Sequence, residues 1–360
     1  MKIVKIGNKY VGDGYQTYII FEAGQTHQGF ENAKELIDIA SKAGADAIKF
    51  QIFDSERLVS SRDILDIYEV IDKKTGQTKI IKEPLIESFK RHELTFEQWK
   101  ELKQYADSKN IDFFATVCFP EEVDFVVSLN VPAIKICSAD INHHWFIKYV
   151  ARKKIPIMID TGSSTIGEVE QTVDIIRNEG NEQIVIHHCP SGFPATLESI
   201  NLRMITILKQ MFNYPIAFSD HSPGWDMCIA AVSLGANMIE KTITSDRAIQ
   251  ESEHIASIEP QEAKRIVQAI RNLEIALGEP RREFSRENFK KVLEKRRSIF
   301  AKVDLHVGQI ISEKHIDFRR PGTGIPANFY NFILGAKVRN FIKSGTMISW
   351  KDIEICDGPK

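Results

Sequence analysis

Eight short apolar runs alternate with amphipathic helical stretches between Thr17 and Thr242. The runs are TYIIFE, DAIKFQ, DFFATV, AIKICS, IPIMID, QIVIHH, PIAFSD and NMIEKT. Strand-like runs that alternate with helical segments indicate a parallel sheet with crossover helices. Eight such units are the number that closes a (β/α)8 TIM barrel. The sequence therefore predicts an α/β fold with a TIM barrel over residues 17–280.

Shorter segments flank and interrupt the predicted barrel. Residues 1–16 contain GNKYVGDG, which suits a small hairpin, and residues 53–92 are too long for an ordinary connection. The KKTGQTK sequence within 53–92 looks like the tip of a hairpin, so this segment is either an elaborated rim loop or a disordered insertion. Residues 281–293 are predicted as a linker to a second, small domain at 294–360, where short strand-like runs and glycine turns occur.

Composition excludes several classes of function. The formal net charge is -2, so no general basic field favours nucleic acid. No apolar stretch approaches the roughly 18 to 20 residues that a membrane span needs, so no membrane role is expected. The five cysteines are scattered singly, which favours reduced thiols and a cytoplasmic location.

Nearly every predicted strand ends on polar or ionisable residues, and parallel barrel strands place these ends on one catalytic rim. Lys49, Lys135 and Lys241 each lie at or near such an end. A buried lysine is costly unless it is paired. The three lysines therefore predict a bound phosphate or carboxylate, or pairing with neighbours such as Glu22 and Glu240.

Histidines and one further carboxylate also lie near the rim. His187 and His188 are adjacent on one strand, so at most one of them faces the barrel axis. His221 ends the next strand, and an imidazole with a carboxylate can begin a divalent metal site, although a core histidine is often only hydrogen-bonded. Asp140 follows strand four, where it can act in acid–base chemistry or cap the next helix.

Several strings in order resemble the sialic acid synthase family, of which the chain looks like a divergent member. They are FEAGQTHQG, AGADAIKFQ, FFATVCFPEEVDFV, PAIKICSADINHHWFI, HHCPSGFP, FSDHSPG, ASIEP and RRPGTG. The resemblance implies condensation of phosphoenolpyruvate with N-acetylmannosamine or a related sugar aldehyde, which yields a nonulosonic acid and phosphate. It also implies a divalent metal, manganese or magnesium, and a small antifreeze-like SAF domain after the barrel. Family members form homodimers in which this domain crosses to the other subunit.

The resemblance assigns roles residue by residue. Glu22, Lys49, Lys135 and Asp140 match catalytic positions, and His221 matches a metal ligand. The positions that match substrate contacts are Gln51, Thr116, Ser138, Ser191, Phe193, Ser219, Lys241, Glu253 and Arg320, the last offered by the partner subunit.

Some positions depart from the family pattern. Thr242 stands where a second metal-binding histidine is usual, and Asp160 stands where a serine lies near the phosphate. Ser191, Phe193 and Glu253 replace asparagine, tyrosine and aspartate. The hypothesis that follows is a metal held by His221 with Asp160, and with His188 or Glu22 as a further ligand.

The leading interpretation is thus a carbon–carbon bond-forming transferase that uses phosphoenolpyruvate and belongs to carbohydrate biosynthesis. One alternative keeps the fold but uses a different aldehyde or lyase chemistry. A second alternative is a non-catalytic barrel that binds a sugar or regulates a partner synthase. Retention of Lys49, Lys135, Asp140 and His221 argues against the second alternative, because a site without function has no need of costly buried charges.

Overall fold

A computed structural model describes residues 1–278 and 285–355. The chain divides into two compact units, Met1–Gly278 and Glu279–Lys360. Within the described ranges, no helix combines the length and the apolar character that crossing a bilayer requires.

The first unit contains twelve strands. In chain order they are β1 (Val4–Ile6), β2 (Lys9–Val11), β3 (Tyr18–Glu22), β4 (Ala47–Ile52), β5 (Leu65–Ile71), β6 (Thr78–Pro84), β7 (Asp112–Val117), β8 (Ile134–Ile136), β9 (Ile157–Asp160), β10 (Ile184–His188), β11 (Ile216–Asp220) and β12 (Met238–Thr242). Its α-helices are α1 (Phe30–Ala43), α2 (Ser55–Leu58), α3 (Leu85–Lys90), α4 (Phe96–Ser108), α5 (Pro120–Ser128), α6 (His144–Ala151), α7 (Ile166–Asn178), α8 (Leu197–Ile200), α9 (Met204–Met211), α10 (Asp226–Ser233) and α11 (Pro260–Leu277).

Eight of these strands close the predicted parallel barrel, in the order β3-β4-β7-β8-β9-β10-β11-β12. Nearly every residue of these strands is buried, because helices cover the outside of the barrel and side chains fill its interior. This double burial explains why the strands read as continuous apolar runs instead of alternating ones. The prediction of a TIM barrel is confirmed.

Local signals fix where several helices begin. Thr95 and Thr165 precede α4 and α7, and each forms a capping box with a residue three positions later. Pro120 and Pro260 occupy the first turn of α5 and α11, where a missing backbone N–H leaves no hydrogen bond unmade. These starts lie within one residue of the helical segments that the sequence pattern predicts near 97–109, 121–129, 166–179 and 260–277.

The long segment between β4 and α4 is ordered. Strands β5 and β6 pair antiparallel from Leu65 opposite Pro84 to Ile71 opposite Thr78, and the KKTGQTK sequence forms their connection as predicted. Tyr68 and Val70 are buried. The segment is therefore an elaborated rim loop, and the alternative of a disordered insertion is wrong. The N-terminal residues form the expected hairpin, with β1 antiparallel to β2.

The second unit is small and has its own core. It contains helix α12 (Arg286–Lys295), strands β13 (Ser298–Ala301) and β14 (Ile316–Arg319), helix α13 (Tyr330–Ile333), and strands β15 (Lys337–Val338) and β16 (Ile353–Glu354). A cluster of buried apolar residues that includes Ile299, Ile311 and Ile348 holds these short elements together. Helix α12 begins inside the segment predicted as a linker, of which residues 281–284 lie outside the described residues.

Candidate active site

The pairing register of the barrel strands places one set of polar side chains on the face that points into the barrel interior. Partners opposite each other on adjacent parallel strands share a face, and the face changes at each residue along a strand. Glu22 is opposite both Lys49 and Thr242. The same face carries the pairs Gln51–Thr116, Thr116–Lys135, Asp160–His187 and Ser219–Glu240. Eight strands thus deliver ionisable and hydroxyl groups to one end of the barrel.

A pocket of about 400 Å³ opens at this rim. Its polar wall comes from strand ends and the loops that follow them: Glu22, Gln25, Lys49, Gln51, Thr116, Ser138, Asp140, Asp160, His221, Glu240, Thr242 and Glu253. Its apolar wall comes largely from the β4–α4 segment: Phe53, Leu58, Val59, Leu85 and Phe89. A pocket with this polar wall and this apolar wall suits a small, charged, polyhydroxylated ligand.

Lys135 is the centre of a buried charge network beneath this pocket. Its Nζ contacts Glu240 Oε2 at 2.8 Å, Asp160 Oδ1 at 3.1 Å and His187 Nδ1 at 3.1 Å. Ser219 Oγ lies 3.4 Å from the same nitrogen and donates a hydrogen bond of 3.0 Å to Asp160 Oδ1. Lys135 itself has no solvent exposure, so protein groups satisfy its three N–H donors.

Lys49 forms a second buried centre on the neighbouring side. Its Nζ pairs with Glu22, lies 3.5 Å from Glu240 Oε1, and donates a hydrogen bond of 3.0 Å to Thr116 Oγ1. Glu240 therefore connects the two lysines. Gln51 and the backbone N–H of Gly24 donate to Glu22 Oε1 and hold that carboxylate in place.

Burial and mutual attraction set the protonation states in the network. Burial alone would lower the pKa of both lysines, but the carboxylates of Glu22, Glu240 and Asp160 outweigh it and raise that pKa. Burial opposes ionisation of Glu240, yet Lys135 and Lys49 lower its pKa. Burial and the adjacent Lys135 lower the pKa of His187 to about 3. The lysines are thus cationic and His187 is neutral at pH 7.

Glu253 differs from the other carboxyl groups of the pocket. Burial in the wall and the nearby charge of Glu22 raise its pKa to about 8, so it is mostly protonated at pH 7. Its backbone φ is +69°, a left-handed conformation that is uncommon for a residue other than glycine. Such backbone strain concentrates at functional sites.

Residues 36–282 match the NeuB family, and residues 296–354 match the SAF domain. The chain belongs to the NeuB family. It is 33% identical to the N,N'-diacetyllegionaminic acid synthase of Legionella pneumophila over 97% of this chain and 98% of that protein. It is 32% identical to a pseudaminic acid synthase of Campylobacter jejuni over 94% and 97% of the two chains.

A solved structure supports the same assignment. The crystal structure of the N-acetylneuraminic acid synthetase of Leptospira borgpetersenii superposes on this chain with a TM-score of 0.70. The two sequences are 28% identical, and the superposition covers 81% of this chain and 95% of the synthetase. The fold, the closed barrel and the C-terminal SAF domain are therefore those of this family of nonulosonic acid synthases.

Most residues expected to form the site of this NeuB-family chain lie together. Glu22, Lys49, Gln51, Thr116, Ser138, Asp140, Asp160, His221 and Glu253 all line the pocket. Lys135 and Ser219 lie directly beneath it, bonded to pocket residues. Asp140 accepts a hydrogen bond from the thiol of Cys137 at 3.2 Å and ends a short 3-10 turn, Ser138–Asp140, before α6.

The assignment of Lys241 to the substrate is wrong. Its side chain points out of the barrel, where it pairs with Asp220 Oδ2 at 3.2 Å and donates to the carbonyl oxygen of Ser222. The physical reason is alternation along β12: Glu240 and Thr242 face inward, so Lys241 between them must face outward. Lys241 fixes the turn after β11 instead of lining the pocket.

The metal group predicted from His221, Asp160 and His188 does not form. Among the described residues, no three or more His, Cys, Asp or Glu side chains are arranged to hold an ion. His188 faces away from the axis, where its Nε2 is 2.6 Å from the carbonyl oxygen of Ile200 and its ring stacks on Phe218. Asp160 is bound to Lys135. Because these donors do not converge, no step is assigned to a metal here, and the requirement for one stays a prediction.

Two further predicted contacts, Ser191 and Phe193, lie outside the pocket. Ser191 donates a hydrogen bond to the carbonyl oxygen of Gly162 and lines a separate cavity beside His188. The ring of Phe193 packs on His221, with 5.2 Å between centroids, and so acts only through that residue. Arg320 is an exposed residue of the second unit, and its predicted role across a dimer stays a prediction.

His187 and Glu240 are the main site residues that received no catalytic, substrate-binding or metal-binding role from the sequence, although Glu240 was named as a possible partner of the lysines. Both are inward-facing partners of Lys135. The sequence contains a signal for Glu240. It lies two residues before Thr242 on the same strand, and residues two apart on a strand share a face. The apolar contribution of Leu85 and Phe89 had no comparable signal, because it depends on how the rim segment folds over the pocket.

Proposed function

We propose that this chain condenses phosphoenolpyruvate with a sugar aldehyde to give a nonulosonic acid and inorganic phosphate. The observation that carries the proposal is the pair of buried, cationic lysines, Lys49 and Lys135, at the floor of a rim pocket in a NeuB-family barrel. Phosphoenolpyruvate carries about three negative charges near neutral pH, and lysines at a buried floor are suited to hold them.

The proposed reaction joins C3 of phosphoenolpyruvate to the aldehyde carbon of the sugar, and the carbonyl oxygen takes up a proton. Water then adds at C2, and the tetrahedral adduct loses phosphate. In this proposal Thr116 and Ser138, which line the pocket, donate hydrogen bonds to the anion, and Asp140, which also lines it, orients sugar hydroxyls. Burial raises the pKa of Glu22, although Lys49 opposes this, so Glu22 is our candidate to exchange the proton.

The identity of the sugar is left open by family membership, because relatives of nearly equal identity make different acids, legionaminic and pseudaminic. The changed residues at the pocket, Asp160 and Thr242, favour the alternative in which the acceptor is a sugar other than N-acetylmannosamine. We also propose a cytoplasmic location, which the free thiols of Cys118, Cys137, Cys189 and Cys228 support.

The test is release of phosphate from phosphoenolpyruvate with a panel of hexosamines and their N-acyl and phosphorylated forms, with and without manganese. We expect release with at least one sugar, and loss of at least about a hundredfold in kcat/KM in Lys49→Met, which removes the cation but keeps the side-chain length. Absence of both turnover and calorimetric binding of phosphoenolpyruvate would contradict the proposal and favour a non-catalytic barrel.

A further inference from the structure

Asp160 occupies an unusual position between the pocket and Lys135. It lines the pocket wall and is 9% exposed, whereas Lys135 behind it is fully buried. Its Oδ1 lies 3.1 Å from Lys135 Nζ and accepts a hydrogen bond of 3.0 Å from Ser219. These two contacts, an ammonium and a hydroxyl donor, are what a substrate carboxylate or phosphate oxygen would need at this place.

Carboxylates already compensate the charges of the two lysines in the unliganded pocket. Two ammonium groups, on Lys49 and Lys135, face three carboxylates, on Glu22, Asp160 and Glu240. With all three carboxylates ionised, the network carries one net negative charge before any ligand arrives. An anion that approaches Lys135 meets the carboxylate of Asp160 first, at a distance where like charges in a buried site repel strongly.

We propose that the Asp160 carboxylate occupies the site on Lys135 at which a substrate anion binds. It thereby lowers the affinity of this pocket for a multiply charged substrate. A substrate anion reaches Lys135 only when the Asp160 carboxylate gives up its contact with that lysine. Glu240 Oε2, which lies 2.8 Å from Lys135 Nζ, then keeps the ammonium paired during the exchange. This inference rests on the proposed function, because it concerns how phosphoenolpyruvate reaches Lys135.

The test measures calorimetric affinity for phosphoenolpyruvate in the full chain and in Asp160→Asn, which keeps the shape of the side chain and removes its charge. We expect binding at least about tenfold tighter in Asp160→Asn. The matched control is Asp124→Asn, which removes one carboxylate from the surface, where Asp124 pairs with Lys153. We expect less than a twofold change in that control, since an exposed charge is screened.

A second ligand separates competition from a structural role. Pyruvate carries one negative charge, so its affinity should rise much less than that of phosphoenolpyruvate in Asp160→Asn. If Asp160 were only a structural partner of Lys135, both affinities would stay equal or fall, and the inference would be overturned. Asp160→Ser serves as the variant if the amide does not fold, because Ser219 and Glu240 still bond Lys135.

The two proposals fail in different ways. If the unmodified chain releases phosphate with a sugar but Asp160→Asn binds phosphoenolpyruvate no tighter, only the role of Asp160 is overturned. If neither the unmodified chain nor the Asp160 variants bind phosphoenolpyruvate or release phosphate, the proposed function and the role of Asp160 are both overturned.

Discussion

Lys135 and Lys241 resemble each other in sequence, since each lies near the end of an apolar strand, yet they face opposite sides of the barrel wall. Lys135 pairs with Asp160 and Glu240 inside, and Lys241 pairs with Asp220 outside. Both are buried, so loss of either cation leaves a carboxylate without its partner. Burial of an unpaired charge is costly whichever side of the wall it lies on.

The pair gives a sharp prediction. Lys135→Met and Lys241→Met should each lower the free energy of unfolding by about 3 to 5 kcal/mol, measured by urea denaturation. Only Lys135→Met should also lose calorimetric binding of phosphoenolpyruvate, by at least about a hundredfold, because Lys241 does not reach the pocket. Equal loss of binding in a folded Lys241→Met would contradict the outward placement.

Glu253 gives a prediction about pH. Because its pKa is raised to about 8, the carboxyl group is neutral at pH 7 and becomes charged as the pH rises through 8. The new charge adds to those of Glu22 and Glu240 and should repel an anionic substrate. We expect the KM for phosphoenolpyruvate to increase between pH 7 and pH 9. Glu253→Gln should remove the part of this increase that comes from ionisation of Glu253, and its KM at pH 7 should stay within about threefold of that of the unmodified chain. An identical rise in both proteins would assign the effect to another group.

The residue-scale errors share one physical cause. The site expected from the sequence contains Lys241 but not Glu240, and His188 but not His187. Each choice is one residue out of phase, and a step of one residue along a strand moves the side chain to the opposite face. The polar ends of the strands could be recognised from the sequence, because charged residues stand out against apolar runs. The sequence pattern does not show which face of the strand each side chain occupies, because strands buried on both sides show no alternation of polar and apolar residues.

At the scale of elements, the β4–α4 segment, which contains the hairpin β5–β6 and helix α3, supplies most of the apolar wall of the pocket. Leu85 and Phe89 of α3 line the pocket, while Gln250 Nε2 donates to the carbonyl oxygen of Ile71 at 2.5 Å and Lys73 pairs with Asp246 at 3.0 Å. The hairpin therefore holds the loop that leads to Glu253. Tyr68 and Val70 are buried but are not part of the barrel core.

Shortening this hairpin should therefore change binding more than stability. Replacement of residues 67–82 by Asn-Gly joins the opposed residues Asp66 and Glu83 through a two-residue turn. We expect KM for the sugar to rise at least about tenfold and the affinity for phosphoenolpyruvate to change less than about threefold, because the anion site lies on the barrel floor. The control replaces only the tip, residues 72–77, by Asn-Gly, which removes the Lys73–Asp246 ion pair but keeps the hydrogen bond from Gln250 to Ile71. It should change the KM for the sugar less than about threefold. Equal effects of the two replacements would contradict a role for the strands.

Element positions were predicted well where periodicity and caps agree, as in α11, which was expected near 260–277 and spans Pro260–Leu277. The hairpin was recognised from its turn residues, but its function as a cover could not be, since that depends on contacts between segments far apart in the chain. Local sequence thus determines where elements begin and end, and long-range packing determines what they face.

At the scale of the whole molecule, two units were expected from the change in sequence pattern after the barrel, and the chain divides at residue 278. The role of Arg320 depends on a second copy of the chain, which no pattern within one sequence can demonstrate. Arg320 is exposed, and no hydrogen bond or ion pair holds it within the part of the chain that the structure describes.

Complementation between two inactive variants tests whether Arg320 acts across a homodimer. Lys49→Met removes a cation of the barrel pocket, and Arg320→Ala alters only the second unit. If Arg320 reaches the pocket of the partner copy, co-expression of the two variants should restore about a quarter of the unmodified rate of phosphate release, since half of the dimers are mixed and one of their two sites is intact. Each variant alone should stay inactive, and sedimentation should give the mass of a dimer. A rate no higher than the mean of the separate variants would show that Arg320 does not act in trans.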